Sequence, residues 1–368
     1  MPRLLKPVIL LLVAVAALSS CRKNTVSPKV DPNTPVELVL PERSSYTGAF
    51  MDFGDTEDVV TLETIEEFEA MVGKHQAIIA SSSYWGEQTF PTANVNVIWR
   101  HGSLPLLFWS PWDQPYEQNR GPDRFGLMQI LAGNWDAYID RWADAAREFG
   151  KPMIVVFGNE MNGDWFPWSG TYYGGKNPIP GKPNEWEGPE NYKKAYRYVV
   201  DRVRARGASN IKWMLHANNY SYPVDVWNLV AAYYPGPEYV DWLGLSVYGQ
   251  QFKDEPWVEI PLLVDWPIEE LKRLDPTKPV MIAEWAAGEF PKSGGNKAHW
   301  IKEGFEIFRT RHPQVKAAVY WNERWQNRDG SYSNLRLNSS IESLNAYREG
   351  VANSYWLGDL ILRPVTHD

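Results

Sequence analysis

Apolar residues are concentrated in eight short runs spread along the chain. Each run is continuous rather than alternating, which indicates strands buried on both faces, as in parallel sheets. The runs cover residues 48–53, 76–80, 104–109, 152–157, 211–216, 241–247, 279–283 and 315–321. Amphipathic stretches between them predict helices. These stretches are 65–72, 135–149, 192–206, 266–274, 299–311 and 340–351.

Alternation of strands and helices decides the fold class. Eight strands with intervening helices predict an α/β fold of the TIM type, a (β/α)8 barrel. The alternative is a doubly wound open sheet. It would need a glycine-rich G-x-G-x-x-G turn after the first strand, where the chain instead has Asp52-Phe53-Gly54-Asp55. We therefore expect the barrel.

The first 24 residues have a pattern of their own. Arg3 and Lys6 precede an apolar run at 7–18, which is shorter than the roughly 20 residues that span a bilayer but is typical of a secretory signal. Small residues then lead to Cys21, which is the single cysteine of the chain. This resembles a bacterial lipobox, in which the signal is cleaved before a cysteine that becomes lipidated.

The domain prediction follows from these patterns. Residues 1–20 are predicted to be a lipoprotein signal peptide, and residues 21–44, which are rich in proline and lack periodicity, a lipidated tether. A single barrel is expected over 45–368. We expect the protein in the bacterial cell envelope, at the outer membrane or cell surface, held only by the lipid on Cys21.

Composition and charge exclude several classes of protein. The chain is 44% hydrophobic and 22% charged, which excludes wholesale disorder. A mean hydropathy of −0.43 excludes a polytopic membrane protein. The net charge of −8 without a basic run argues against nucleic acid as a partner. The chain has 19 Trp, 19 Tyr and 13 Phe, and this excess favours an aromatic-lined surface beside the core.

Two glutamates follow predicted strands at the end of a barrel where chemistry is expected. Glu160 follows the fourth strand and Glu284 the seventh. Carboxylates on opposite walls can lie about 5 Å apart, the separation of a retaining glycosidase with one nucleophile and one acid/base. Neither has a Lys or Arg near it in sequence, which disfavours a structural ion pair. The aromatic residues close to them in sequence, which would pack on sugar rings, are Trp165, Trp168, Trp285 and Trp321.

Three segments resemble glycoside hydrolase family 26 in the order that the family has them. They are residues 158–170 (GNEMNGDWFPWSG), 233–249 (YYPGPEYVDWLGLSVYG) and 278–289 (KPVMIAEWAAGE). The resemblance covers roughly residues 45 to 350. It implies a (β/α)8 barrel and retaining endo-hydrolysis of β-glycans, most often β-1,4-mannan. Some members of the family cleave β-1,3-xylan or mixed-linkage β-glucan.

The resemblance also implies roles for single residues. By position Glu160 is the acid/base, Glu284 the nucleophile, and Tyr248 the tyrosine that hydrogen-bonds the nucleophile. Trp165 and Trp321 fall on aromatic positions that flank the cleaved bond. The remaining substrate-binding candidates are Asn159, Trp168, Trp112 and Trp85.

Asn159 departs from the family pattern, which usually has His before the acid. Asn is common there in the wider clan of retaining barrel glycosidases, where it contacts the sugar 2-hydroxyl. Mannose and glucose differ in configuration at C2, so this departure affects which sugar we expect in the substrate and not which reaction we expect. We expect β-1,4-mannan or glucomannan as substrate. The alternatives are a β-1,3-1,4-glucanase, another β-glycanase of the family, a non-catalytic glycan-binding lipoprotein, or a periplasmic binding protein or scaffold.

The expected partner is a polysaccharide alone. The six histidines show no H-x-x-x-H or His/carboxylate ligand spacing, so neither a metal nor another cofactor is predicted. The protein is expected to be a monomer.

Overall fold

The computed structural model describes residues 34–115 and 121–365. The described residues from Pro35 onward form one compact unit. The predictions of a signal peptide over 1–20 and of a lipid on Cys21 lie outside the described residues.

Strands make up the centre of this unit. In chain order they are β1 (Val36–Leu38), β2 (Ser45–Phe50), β3 (Ile78–Tyr84), β4 (Leu104–Ser110), β5 (Met153–Phe157), β6 (Ile211–Asn218), β7 (Trp242–Tyr248), β8 (Val280–Ala286), β9 (Val315–Trp321), β10 (Arg324–Gln326), β11 (Tyr332–Asn334), β12 (Trp356–Leu357) and β13 (Leu362–Pro364).

The strands β2 to β9 form a closed parallel barrel. Each pairs in parallel with the next, and β9 pairs with β2. Their residues are almost all buried, which is the property that continuous apolar runs indicate. The prediction of a (β/α)8 barrel is confirmed.

Helices separate the barrel strands. They are α1 (Leu62–Val72), α2 (Thr92–His101), α3 (Leu127–Leu131), α4 (Asp136–Phe149), α5 (Glu187–Ala205), α6 (Val230–Tyr233), α7 (Ile260–Leu274), α8 (Lys297–Thr310) and α9 (Ile341–Ala352). The described part of the chain has no helix that is both long and apolar enough to cross a membrane.

Helix α4 shows why the amphipathic stretches become helices. Its buried residues include Ile139, Trp142 and Ala146, which recur at helical spacing and pack on the barrel as one face. The helix ends at Gly150, which takes a left-handed conformation with φ of 61° and donates its backbone N–H to the carbonyl of Ala146. Helix α2 is not predicted by the sequence pattern, because only Val95 and Ile98 of its ten residues are buried.

The tether predicted over 21–44 does not extend to residue 44. Residues Val36–Leu38 form β1, which pairs antiparallel with β13. The backbone N–H of Val39 also donates to the carbonyl of Ile361 at 2.8 Å, and the Tyr46 hydroxyl donates to that of Val39 at 2.7 Å. Three residues are too few to show a strand pattern in the sequence. The strand that pairs with them lies at the far end of the sequence, so the pairing cannot be recognised locally either.

Candidate active site

Glu160 lies just beyond the C-terminal end of β5, in a strained backbone conformation. Its φ is +51°, in the left-handed region that a non-glycine residue seldom adopts. The backbone N–H of Glu160 donates to the carbonyl of His216, on the neighbouring strand β6, at 2.7 Å. This bond holds the loop after β5 against β6.

The Glu160 carboxylate is buried and hydrogen-bonded. Its residue is 7% exposed, and Trp165 Nε1 donates to Oε2 at 2.7 Å. Burial raises the pKa of Glu160, although hydrogen bonds from Ser246 and Trp165 oppose the rise. A raised carboxyl pKa suits a group that must hold a proton near neutral pH.

Glu284 is delivered to the same place by β8. It is also 7% exposed, and the Tyr248 hydroxyl donates to its Oε2 at 2.6 Å. Burial, followed by the negative charge of Glu160, raises the pKa of Glu284 well above its ordinary value. Two buried carboxyls that repel each other in this way share one proton over a wide pH range.

His216 and Ser246 lie between these two carboxyls, and neither was predicted as a site residue. His216 Nε2 is 2.8 Å from Ser246 Oγ and 3.9 Å from Glu284 Oε1. Burial lowers the pKa of His216 to about 3, so the ring is neutral. Ser246 in turn hydrogen-bonds Glu160 and pairs with Glu284 across β7 and β8. The sequence gives one indication that His216 and Ser246 belong to the site: each is a polar residue near the end of a buried strand.

Trp321 forms an aromatic wall at the end of β9. Its ring stacks on Phe50 at 4.1 Å between centroids with an interplanar angle of 13°, and Phe108 meets it edge-on at 5.6 Å. Trp321 Nε1 donates to Glu323 Oε2 at 2.7 Å. The stack holds the indole rigidly beside the carboxyls.

Glu323 adds a further acidic group that the sequence did not single out. Burial, and then the charges of Glu57 and Asp52, raise the pKa of Glu323 to about 8. Glu57 is itself buried and accepts a hydrogen bond from Ser82 at 2.6 Å. The side of the mouth formed by the ends of β2, β3 and β9 is therefore acidic as well as aromatic.

Two of the predicted aromatic contacts are wrong. Trp85 is 0% exposed and packs against Trp109 and Phe125 in the core. Trp285 is 1% exposed and packs on Trp300 of α8, outside the barrel. Neighbouring side chains of a strand point to opposite faces, so Trp285 cannot share the mouth with Glu284.

The other predicted aromatics lie around the loop after β5. Trp165 is half-buried beside Glu160. Trp168 is buried, donates from Nε1 to the carbonyl of Asn159 at 2.6 Å, and stacks on Phe166 at 4.6 Å. Trp112 is buried edge-on against Trp168 at 5.2 Å. Trp168 and Trp112 thus brace the loop.

Asn159 is held by its backbone, which leaves its side chain available. It is buried, and Trp168 fixes its carbonyl. A carboxamide has both a hydrogen-bond donor and an acceptor, so that of Asn159 can bind a sugar hydroxyl.

Comparison with known proteins places this site in a family. The family model of Glycosyl hydrolase family 26 matches residues 129–305, a stretch that contains Glu160 and Glu284. "Endoglucanase H" of Acetivibrio thermocellus is 30% identical over 291 residues, which are 78% of this chain. The chain belongs to glycosyl hydrolase family 26.

A second relative and a solved structure are similar to this chain along most of its length. A "Mannan endo-1,4-beta-mannosidase" of Bacillus subtilis is 25% identical over 353 residues, covering 86% of this chain and 88% of that protein. The solved catalytic domain of the GH26 endo-β-1,4-mannanase of Bacillus sp. JAMB-750 has the same fold, with a TM-score of 0.62 at 19% identity over 86% of this chain and 87% of that one. The chain spans 29% of the length of Endoglucanase H.

Groups that could hold a metal ion lie apart from the family 26 carboxylates. Within residues 34–115 and 121–365, two sets of histidine and carboxylate atoms come together: Glu69–His75–His101 and Glu259–His299–Glu303. Neither set includes Glu160 or Glu284.

The raised pKa of Glu323 predicts how the stability of this family 26 domain depends on pH. The folded protein keeps the proton up to about pH 8, whereas the unfolded chain loses it near the ordinary value of 4.5. The folded state binds more protons in that window, so the free energy of unfolding falls as pH rises through it. In Glu323→Gln, which can still accept from Trp321, we expect this fall between pH 5 and 8 to be smaller by roughly 3 kcal/mol.

Urea unfolding at pH 5, 6.5 and 8, followed by tryptophan fluorescence, measures the difference. The matched control is Glu66→Gln, at an exposed glutamate of α1, which should follow the wild-type profile. If Glu323→Gln also follows that profile, Glu323 is not protonated in the folded state.

Proposed function

We propose that this protein is a retaining endo-β-glycanase, with Glu160 as acid/base and Glu284 as nucleophile. The observation that carries the proposal is the pair of buried, mutually interacting carboxyls at the ends of β5 and β8, in a mouth walled by Trp165 and Trp321. A non-catalytic glycan-binding protein would need the aromatic walls but not the two acids.

The proposed roles follow from the partners of each carboxyl. Burial keeps a proton on Glu160, which is then given to the leaving glycosidic oxygen. The phenol of Tyr248 donates to Glu284 and stabilises its ionised form, which is needed to attack C1. In this proposal the shared proton is on Glu160 and the shared charge on Glu284 when the reaction begins, as double displacement requires. After the glycosyl-enzyme forms, the ionised Glu160 takes a proton from the water that hydrolyses it.

β-1,4-Mannan or glucomannan is the first candidate substrate. The Bacillus subtilis relative that matches along most of its length is named a mannan endo-1,4-beta-mannosidase. In this proposal Trp165 packs on the sugar on one side of the cleaved bond and Trp321 on the other, since the CH face of a pyranose packs on an aromatic ring.

β-Glucan is the second candidate, and two observations favour it. The carboxamide of Asn159 is free to meet the sugar 2-hydroxyl, the group whose configuration separates glucose from mannose. The relative with 30% identity is named an endoglucanase, although this chain corresponds to a minor part of its length.

The nucleophile assignment predicts a chemical rescue. Glu284→Ala should abolish turnover of polysaccharide, and azide should restore part of the activity on an activated aryl β-glycoside by entering the vacated space and attacking C1. The product would be a glycosyl azide of inverted configuration, identified by NMR. Tyr248→Phe, which keeps the carboxylate, should be slowed but not rescued. Hydrolysis by Glu284→Ala near the wild-type rate would refute the assignment.

The acid assignment predicts a dependence on the leaving group. In Glu160→Gln the loss of kcat/KM should be about 100-fold or more on polysaccharide, because general acid catalysis contributes on this scale. It should be much smaller for the first step on aryl glycosides with good leaving groups, which need no proton. Steady-state and pre-steady-state rates over a series of substituted phenols give the slope. Equal losses across the series would show that Glu160 is not the acid.

Asn159 predicts which sugar is preferred. Asn159→Ala should lower kcat more than it raises KM, because hydrogen bonds to the 2-hydroxyl strengthen in the transition state. A loss of about 2 kcal/mol corresponds to roughly 30-fold in rate. Asn159→His should shift the ratio of mannan to glucan activity, measured by reducing-sugar release on both polymers.

A 2-deoxy aryl glycoside is the control for Asn159. If Asn159→Ala costs as much on this substrate as on its parent, the amide does not contact that hydroxyl and only supports Glu160.

A further inference from the structure

Two histidines converge on one carboxylate far from the active-site carboxyls in the fold. Glu69 lies in the last turns of α1, His75 in the segment that leads to β3, and His101 at the end of α2. His75 Nδ1 is 2.9 Å from Glu69 Oε1, and His101 Nε2 is 3.1 Å from Glu69 Oε2. We call these three residues the Glu–His–His cluster. It lies at the amino-terminal end of β3 and β4, whereas Glu160 and Glu284 lie at the opposite ends of their strands.

The distances in the cluster suit a metal ion. One ligand atom from each residue lies within 4.8 Å of the others. In a tetrahedral site with Zn–N and Zn–O bonds of about 2.0–2.1 Å, ligand atoms are about 3.3 Å apart. To bind an ion, the three ligand atoms would have to close from at most 4.8 Å to about 3.3 Å, by rotation of the two rings and of the carboxylate.

The hydrogen bonds of the cluster leave a nitrogen unsatisfied. Nε2 of His101 is buried, and although it is close to Glu69 it has no hydrogen-bond partner of suitable geometry among the described residues. A metal ion accepts such a lone pair without the angular demands of a hydrogen bond between two fixed groups. The two imidazole rings are 4.8 Å apart between centroids, so both can address the same ion.

Neighbouring groups orient the cluster in the way that metal ligands are oriented. The backbone N–H of Gln76 donates to Glu69 Oε1 at 2.8 Å and fixes the carboxylate. His75 faces Glu69 through Nδ1, and its other nitrogen faces the backbone of Gly102.

We propose that Glu69, His75 and His101 bind a divalent transition-metal ion of the Zn²⁺ type. Two imidazoles and a carboxylate are a ligand set that Zn²⁺ takes, with the fourth position filled by water. The ion would join the end of α1, the start of β3 and the end of α2, and so would stabilise the fold rather than take part in hydrolysis. The sequence expectation of no metal arises because the three ligands are widely spaced along the chain.

Zinc content and thermal unfolding of the tag-free, chelator-treated protein test the proposal. After equilibration with Zn²⁺ and removal of the excess, elemental analysis should find one zinc per chain. Zn²⁺ at 100 times its Kd should raise the Tm by about 5 °C. Both effects should be lost in His75→Ala and in His101→Ala, with affinity at least about tenfold weaker.

The second histidine–carboxylate group provides the matched control. Its members Glu259 and His299 are exposed, unlike the Glu–His–His cluster, and His299→Ala should leave both the zinc content and the shift in Tm unchanged. His101→Gln is included in case the alanine variants fold poorly, because it keeps a polar side chain of similar reach. The visible spectrum of bound Co²⁺ reports whether this variant still binds a metal ion at the cluster. If zinc binds equally well to the wild type and to the cluster variants, or does not raise the Tm, the cluster is only an ion-paired group and the proposal is wrong.

Discussion

The pairing of β2 with β9 is the constraint on which the site depends. It closes the barrel, and its register sets Phe50 opposite Trp321, which produces the aromatic stack beside the carboxyls. Closure also brings the C-terminal ends of all eight strands to one rim, so that residues far apart in sequence meet there. An open sheet of the same strands would leave Glu160 and Glu284 on a surface exposed to water, where their pKa values would not be raised.

The pairing of β8 with its two neighbouring strands is irregular. The register of β8 shifts against β7 next to Ser246 and against β9 between Ile282 and Trp285. Such bulges re-aim side chains at sites of chemistry. Here the bulge coincides with Glu284 and brings Ser246 alongside it. Ser246 hydrogen-bonds both Glu160 and His216, so one small hydroxyl links the Glu160 carboxyl to a neutral ring that lies 3.9 Å from Glu284.

Sequence reasoning succeeded where the physical signal is local. Continuous apolar runs indicate buried strands, and a glutamate directly after such a run lies at the rim of a barrel, as Glu160 and Glu284 do. It failed where the signal depends on a distant partner. Strand β1 is stabilised by β13, and the burial of Trp85 and Trp285 depends on which other parts of the fold pack against them. Glu323 and His216 acquire their unusual pKa values from burial that no short pattern reports.

The left-handed backbone at Glu160 has a consequence for how the domain can change. A conformation of this kind costs a non-glycine residue about 1 kcal/mol or more, and burial of the polar carboxyl group adds to the cost. Selection for stability alone would replace Glu160 with glycine or asparagine, both of which accept this geometry. At position 160, therefore, high thermal stability and catalytic turnover call for different residues. A lineage that no longer needed to cleave polysaccharide would gain a more stable barrel by losing this one side chain.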